Sequence, residues 1–184
     1  VIIGAPYFDN GPNDEGAVFF YHGSTTGLSL QAAITWESSQ IDALLGRSVS
    51  SAGDVNGDGF SDVIIGAPQY DNGQTDEGSA FIYHGSAIIL SQEPIHFYKS
   101  NGLNSWLGQS VSSAGDVNGD GFSDVIIGAP YYSNGQTDEG AVFVYHGCAA
   151  GLSKKPAIIL ENNQGNAELG ISVASAGDVN GDGF

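Results

Sequence analysis

Residues 53–60 read Gly-Asp-Val-Asn-Gly-Asp-Gly-Phe, and the same eight residues return at 115–122 and 177–184. A second stretch, Val-Ile-Ile-Gly-Ala-Pro, occurs at residues 1–6, 63–68 and 125–130. Both stretches recur every 62 residues in a chain of 184 residues. A fixed period of this length indicates an array of supersecondary units, each too small to bury its own apolar face and stabilised by its neighbours.

Each repeat unit contains four candidate strands. We divide the chain 1–184 into units 1–62, 63–124 and 125–184, the last being two residues short of a full period. The first strand is marked by small residues and the second by a continuous apolar run. The third strand shows period-two alternation with β-branched or aromatic residues at its centre, and charged residues flank the fourth. In sequence order these strands are residues 46–53, 63–67, 78–84 and 94–99, the last with counterparts at 32–37 and 156–161.

Four antiparallel strands per unit, small residues first and polar residues last, predict an all-β fold of propeller blades running outwards from a central channel. A solenoid is the competing repeat architecture, but it usually has shorter repeats and lacks this gradient. The sequence begins at the second strand of one blade and ends at the first strand of another. We therefore expect about three blades' worth of a six- or seven-bladed ring, taken from a longer protein that begins elsewhere.

The charge balance excludes several functions. Lys and Arg number 4 against 21 Asp and Glu, which gives a net charge of -17. Phosphate repulsion then excludes a nucleic-acid partner and a basic membrane-surface role. No apolar run approaches the roughly 20 residues that span a bilayer. The apolar content of 41% with 28 Gly fits short strands and tight turns, and the single Cys excludes an internal disulfide.

The repeated Asp-rich stretch has the spacing of a loop that binds a hard cation. Oxygen side chains at alternate positions of a tight loop, with Gly allowing the turn, suit Ca²⁺. An EF-hand would need a Glu at the twelfth position, where this chain has Ile65 and Ile127. The pattern indicates a β-hairpin calcium loop, in which Phe60 and Phe122 contribute their backbone carbonyls. The proposed ligands are Asp54, Asn56, Asp58, Phe60, Asp62 and Asp116, Asn118, Asp120, Phe122, Asp124.

The alternative is that Asp, Asn and Gly are simply good turn formers. That explains one Asn-Gly pair but not three carboxylates and an amide at alternate positions, repeated in phase. A third loop offers Asp178, Asn180 and Asp182, and the sequence stops at Phe184 before a ninth-position carboxylate. We expect this third site to be the weakest.

These motifs resemble a known family. The calcium loop, the Gly66-Ala67-Pro68 triplet with its copies, and a preceding Leu-Gly resemble the FG-GAP repeat of integrin α-subunit β-propellers. Leu replaces the usual Phe at Leu45, Leu107 and Leu169, and the near identity of the units looks more like bacterial integrin-like repeat proteins. The resemblance implies that the loops join first and second strands on one face and bind Ca²⁺. It also implies that partners bind the opposite face.

A second acidic loop follows each second strand, at residues 9–16, 71–78 and 133–140. We call these the Asp-Glu-Gly loops. One interpretation is a solvated hairpin loop with a turn-forming Asn-Gly pair. The other is a ring of carboxylates that recruits a basic or cation-bridged partner, formed by Asp14, Glu15, Asp76, Glu77, Asp138 and Glu139.

The remaining reactive side chains favour structural roles. His22, His84 and His146 recur in phase and are expected to be hydrogen-bonded at strand ends. Cys148 replaces a Ser of the other units, and Trp36 and Trp106 suit packing between blades. No Ser, His and Asp set suggests a triad, and catalysis usually needs one asymmetric site. We therefore predict that the chain is not an enzyme.

The sequence thus predicts a calcium-stabilised, extracellular or cell-surface module for recognition or adhesion. Its partner would be a protein or glycan, with neighbouring blades of a parent protein or a second copy at its ends. A carbohydrate-binding propeller with sites between blades is the alternative. A third possibility is a structural spacer in a larger secreted enzyme or adhesin.

Overall fold

The computed structural model describes residues 1–11, 13–100 and 102–181. Every regular element in this part of the chain is a β-strand, and the strands form three main antiparallel sheets and two short hairpins. No helix among the described residues is long and apolar enough to cross a membrane.

The three main sheets follow one another along the chain. The first sheet has the order β1 (Ile2–Ala5), β2 (Ala17–Phe20), β5 (Ile34–Glu37), with the hairpin β3 (Gly23–Ser24) and β4 (Gly27–Leu28) before β5. The second sheet has the order β6 (Ser48–Gly53), β7 (Asp62–Ala67), β8 (Ser79–Tyr83), β9 (His96–Lys99). The third has the order β10 (Ser110–Gly115), β11 (Asp124–Ala129), β12 (Ala141–Tyr145), β15 (Ile158–Glu161), with the hairpin β13 (Gly147–Cys148) and β14 (Gly151–Leu152) before β15.

The sheets confirm the predicted four-stranded, antiparallel unit. The apolar second strand β7 is buried along its whole length, and the fourth strand lies at the outer edge. One expected strand is absent: residues 170–177 form no strand, although 172–177 differ from the sequence of β6 and β10 only at Ala174. Both β6 and β10 pair with the second strand of their own sheet, and the described residues contain no such partner for 170–177.

The first strands of the sheets lie side by side. β6 lies next to β10 on one side and next to β1 on the other. Ser48 Oγ donates to the carbonyl of Gly108 at 2.8 Å, and Ser110 Oγ donates to that of Gly170 at 2.7 Å. Small residues are required here because the strands of neighbouring sheets approach closely, as the sequence predicted.

The apolar cores lie between the sheets and not within them. One cluster joins the first two sheets through residues such as Val18, Trp36 and Ile65. The other joins the second and third sheets through residues such as Ile64, Leu107 and Ile127. A single unit would therefore expose most of its apolar side chains, which explains why the repeat occurs as an array.

The Gly of each Gly-Ala-Pro triplet packs against the backbone of the next Leu-Gly pair along the chain. A Cβ on Gly66 would collide with the carbonyl oxygen of Gly108, and a Cβ on Gly128 would collide with that of Gly170. Gly108 N donates in turn to the carbonyl of Gly128 at 3.0 Å. The Leu-Gly and Gly-Ala-Pro motifs are therefore two halves of the contact between consecutive sheets.

We predict that Gly66→Ala destabilises the protein by about 1–3 kcal/mol, because the added methyl group must push the second and third sheets apart. Gly23→Ala is the control, since a Cβ on Gly23 meets nothing within 4 Å. The control should change the free energy of unfolding by less than about 0.5 kcal/mol. Urea unfolding measures both, and equal stabilities of the two variants would show that Gly66 does not set the spacing.

Candidate functional site

The first two repeated Asp-rich segments each form a loop between the first and second strands of a sheet. We call residues 54–62 and 116–124 the aspartate loops. The pairing register shifts between Ser51 and Gly53 just before the first loop, and between Ser113 and Gly115 before the second. Gly53 has a φ of 73°, a left-handed conformation that turns the chain out of the strand into the loop.

The first aspartate of the loop organises the turn. Asp54 Oδ1 accepts hydrogen bonds from Gly57 N at 2.7 Å and Asp58 N at 3.1 Å, and its Oδ2 accepts one from Gly59 N at 2.8 Å. Asp116 makes the same three bonds in the second loop. Asp178 begins the same turn by accepting from Gly181 N, while Asp182 lies outside the described residues.

The third and fifth loop positions form the exposed rim. Asn56 Oδ1 accepts from Asp58 N at 3.0 Å, and Asn56 Nδ2 donates to Asp58 Oδ2 at 2.9 Å. The N–H of Phe60 donates to Asp58 Oδ1 and, with the Asn56 amide, lowers the pKa of Asp58. Asp58 is therefore held in its ionised form at the surface.

The ninth position of each loop is a buried carboxylate that joins two segments. Asp62 is fully buried; its Oδ2 accepts from Val55 N at 2.9 Å and its Oδ1 from Gly85 N at 2.8 Å. Asp124 is buried in the same way and accepts from Val117 and Gly147. Burial raises the pKa of both carboxyls, and the two N–H donors oppose it only in part.

The strand-end histidines lie beside these loops. His84 Nδ1 is 3.3 Å from Asn56 Nδ2, and the charge of His84 lowers the pKa of both Asp58 and Asp62. His146 acts on Asp124 in the same way. Sequence reasoning expected only a hydrogen-bonded His at a strand end. The signal for its contact with the loop was its recurrence in phase with the aspartates.

The first aspartate loop also bonds to the sheet that follows. Ser123 N donates to the carbonyl of Asp54 at 2.9 Å, and Ser123 Oγ accepts from Asp54 N at 3.1 Å. Cys148 N donates to the carbonyl of Val55 at 3.0 Å, and the Val55 side chain is fully buried in the core between the second and third sheets. The loop is therefore a tie between sheets, a role that sequence reasoning missed.

The donor set of the loops suits a hard cation. Each carboxylate oxygen that accepts one N–H retains a lone pair, and the amide of Asn56 and the carbonyl of Phe60 add neutral oxygens. Among the described residues, no three Asp, Glu, His or Cys side chains are arranged closely enough to hold a metal. Binding would therefore require the rim residues to close on the ion.

The Asp-Glu-Gly loops lie at the opposite end of the second strands, as predicted, but their glutamates are not surface groups. Glu15 is 3% exposed, and Glu77 and Glu139 are fully buried. Glu15 Oε1 accepts from Asn10 N at 2.8 Å, and Glu139 Oε1 from Asn134 N at 2.6 Å. The interpretation of these loops as a ring of surface carboxylates is therefore wrong for the three glutamates, because they are buried inside their loops, where Glu15 and Glu139 accept backbone N–H groups.

The aspartates of these loops lie at the surface: Asp14, Asp76 and Asp138 are half-buried, and Asp9 and Asp71 are exposed. Asp76 is crowded where the first and second sheets meet. Burial raises its pKa, and the charges of Asp71 and Asp42 raise it further. The next junction carries Ser133 and Asn104 at the equivalent positions, 62 residues on.

Aromatic side chains lie between sheets, as expected. Trp36 and Tyr83 pack with ring centroids 4.4 Å apart, and Trp36 Nε1 donates to the carbonyl of Gln92 at 3.1 Å. Trp106 is half-buried and meets Tyr131 edge-on at 4.9 Å.

The sheets, their order and the contacts between them define this chain as a segment of a β-propeller, and comparison with known proteins gives its family. The FG-GAP repeat family matches residues 45–83 and 107–145. The chain therefore carries FG-GAP repeats, in agreement with the resemblance in its motifs.

Integrin alpha subunits are among the similar proteins. Integrin alpha-5 of Xenopus laevis is 31% identical over 86% of this chain, and integrin alpha-3 of Mus musculus is 31% identical over 97%. Integrin alpha pat-2 of Caenorhabditis elegans is 34% identical over 100% of the chain. The chain spans 16% of the length of each of these relatives.

We predict that Asp71→Ser and Asp42→Asn each lower the pKa of Asp76, with the larger effect from Asp71, which is the larger cause. The raised pKa means that the stability linked to Asp76 is present below its ordinary pKa and is lost as pH rises through the folded-state value. Both variants should therefore be more stable than the wild type at pH 7, by less than about 1 kcal/mol because the site is partly solvated.

Carboxyl NMR titration of Asp76 measures the pKa, and urea unfolding at pH 7 measures the stability. Neither substitution should disturb the backbone, since Ser133 already accepts from Asp138 N as Asp71 does from Asp76 N. Asn104 likewise adopts the left-handed conformation of Asp42, with φ values of 54° and 59°. An unchanged Asp76 pKa in both variants would contradict the electrostatic coupling.

Proposed function

We propose that the chain is a calcium-stabilised recognition module that acts outside the cell and binds a macromolecular partner. The observation that carries this proposal is the aspartate loop, which is repeated in phase and whose first copy is tied to the following sheet. Similarity to integrin alpha subunits supports recognition or adhesion over catalysis. The repeated and near-identical side chains of the units support the same choice, since they offer no single asymmetric site.

Calcium would be held by Asp54, Asn56, Asp58, the carbonyl of Phe60 and Asp62, with the equivalent residues 116–124 in the third sheet. A bound Ca²⁺ would neutralise the carboxylates that now face one another in each loop. The chain's own residues would then transmit this effect. Val55 follows the first ligand directly and its side chain lies in the core between sheets, so ordering the loop should also stiffen the contact with the next sheet.

We predict that Ca²⁺ raises the melting temperature and that Asp58→Asn with Asp120→Asn largely removes the increase. At ~1 mM Ca²⁺, a site with a dissociation constant of ~10⁻⁴ M adds roughly 1.4 kcal/mol of stability. Thermal unfolding in millimolar calcium and in excess chelator gives the measurement. Glu93→Gln, an exposed carboxylate outside the loops, controls for net charge. Identical melting temperatures with and without calcium in the wild type would refute the calcium assignment.

We also propose that a protein partner binds the face with the Asp-Glu-Gly loops, now without the three buried glutamates. The face with the Asp-Glu-Gly loops is free of the aspartate loops, and its half-buried carboxylates are Asp14, Asp76 and Asp138. Long-range attraction of a basic protein to these groups would weaken with salt. We expect the triple variant with Asn at all three positions to reduce binding to a panel of purified extracellular proteins without changing the calcium affinity of the aspartate loops. Unchanged binding would move the partner site to the outer edges or the junctions between sheets.

A groove between the first and second sheets favours carbohydrate binding as a second candidate. It has a volume of about 450 Å³ and is lined by aromatic rings, including Tyr70 and Phe81, beside polar groups such as Glu37 and Gln92. Aromatic faces next to hydrogen-bonding groups suit a sugar. A glycan array separates the two functions: glycan binding that is lost in Tyr70→Ala but kept in the triple Asn variant would favour this candidate.

A further inference from the structure

Two glutamates and one asparagine meet in the Asp-Glu-Gly loop of the third sheet. Asn134 N donates to Glu139 Oε1 at 2.6 Å, while Asn134 Nδ2 donates to Glu161 Oε1 and Oε2, both at 3.1 Å. Glu161 is the last residue of the edge strand β15. One asparagine therefore holds two carboxylates, one from the loop and one from the edge of the sheet.

The buried glutamate is incompletely satisfied. Glu139 is fully buried, and its Oε2 has no hydrogen-bond partner in the described part of the chain. An ionised carboxylate removed from water needs a compensating charge or further donors. Glu161 adds a second negative charge beside it. Burial raises the pKa of Tyr132, and the charges of Glu161 and Glu139 raise it further. The Tyr132 phenol therefore lies near both carboxylates.

The first sheet repeats this arrangement. Asn10 N donates to Glu15 Oε1 at 2.8 Å, and Asn10 Nδ2 donates to Glu37 Oε2 at 3.0 Å. Glu37 is the last residue of β5, as Glu161 is of β15. The pairing of a loop glutamate with an edge-strand glutamate is therefore a property of two of the three main sheets.

The second sheet has a cation at the corresponding place. Lys99 replaces the edge-strand glutamate, and its Nζ donates to the carbonyl of Asn72 at 2.9 Å. A Cβ on Gly73 would be 3.7 Å from Lys99 Nζ and 3.9 Å from Glu77 Oε1, which places the ammonium and the buried carboxylate beside the same glycine. Glu77 Oε2 also lacks a hydrogen bond among the described residues, so the second sheet places a cationic side chain near a carboxylate that is as incompletely satisfied as Glu139.

We propose that the third sheet binds a Ca²⁺ ion between Glu139, Glu161 and the carbonyl oxygen of Asn134, at the place that the Lys99 ammonium occupies in the second sheet. The equivalent site of the first sheet is formed by Glu15, Glu37 and Asn10. Two carboxylates and a carbonyl are hard oxygen ligands, and the loop leaves the remaining positions to water. These sites lie on the face opposite the aspartate loops and do not depend on them.

The test counts calcium ions bound by the full chain, using isothermal titration calorimetry. Glu161→Lys copies the side chain that the second sheet already carries, so the fold should tolerate it, and it should remove one bound ion. Lys99→Glu should create a new site and add one ion. Glu93→Lys makes the same charge change at an exposed position and should leave the number of ions unchanged.

A second measurement reports on the location of the ion. Terbium in place of calcium should give luminescence sensitised by Tyr132, and both Tyr132→Phe and Glu161→Lys should reduce it at least twofold. In excess chelator, Glu161→Lys should melt at a higher temperature than the wild type, because the repulsion between the carboxylates is gone.

The proposal is overturned if Glu161→Lys binds as many ions as Glu93→Lys, or if Lys99→Glu gains none. Its failure is distinguishable from failure of the aspartate loops. The Asp58 and Asp120 variants test those loops alone, and they should lose their own ions while keeping the one removed by Glu161→Lys.

Discussion

The contact of a Gly-Ala-Pro glycine with the carbonyl of the next Leu-Gly determines how the sheets stack. Gly66 and Gly128 have no room for a side chain, because the neighbouring backbone occupies that space. This close approach brings the apolar faces of consecutive sheets together, and the two cores form only there. The innermost serines can then bond across the junction. A repeat that cannot fold alone thus becomes stable through one contact made again at each junction.

Periodicity explains what the sequence could predict. The all-β class, the strand order and the edge position of the fourth strand follow from local patterns such as the apolar run of β7 and the small residues of β6. The FG-GAP assignment followed from motifs at a fixed spacing. Contacts between repeats were not accessible in this way, because nothing in the local sequence relates Val55 to Cys148 or Asp54 to Ser123. The acidic composition of the Asp-Glu-Gly loops predicted that their glutamates lie at the surface, yet Glu77 and Glu139 are fully buried.

The acidic residues of this chain have different structural roles on its two faces. In the aspartate loops, Asp54 and Asp62 accept several backbone N–H groups, which stabilises a turn that exposes Asp58. In the Asp-Glu-Gly loops, the buried glutamate holds the turn from inside, and the residue that ends the edge strand sets the local charge. A net charge of -17 is therefore compatible with a stable fold, since many of the carboxylates satisfy backbone donors.

The tie from Asp54 and Val55 to Ser123 and Cys148 joins the first aspartate loop to the next unit, and Ser123 itself lies in the second aspartate loop. A change in either loop should therefore affect the other. In evolution, a substitution in one loop would be compensated more than one full period further on, at Ser123 or Cys148. Duplication of a whole unit preserves both ends of this tie at once, which gives such arrays a simple route to grow.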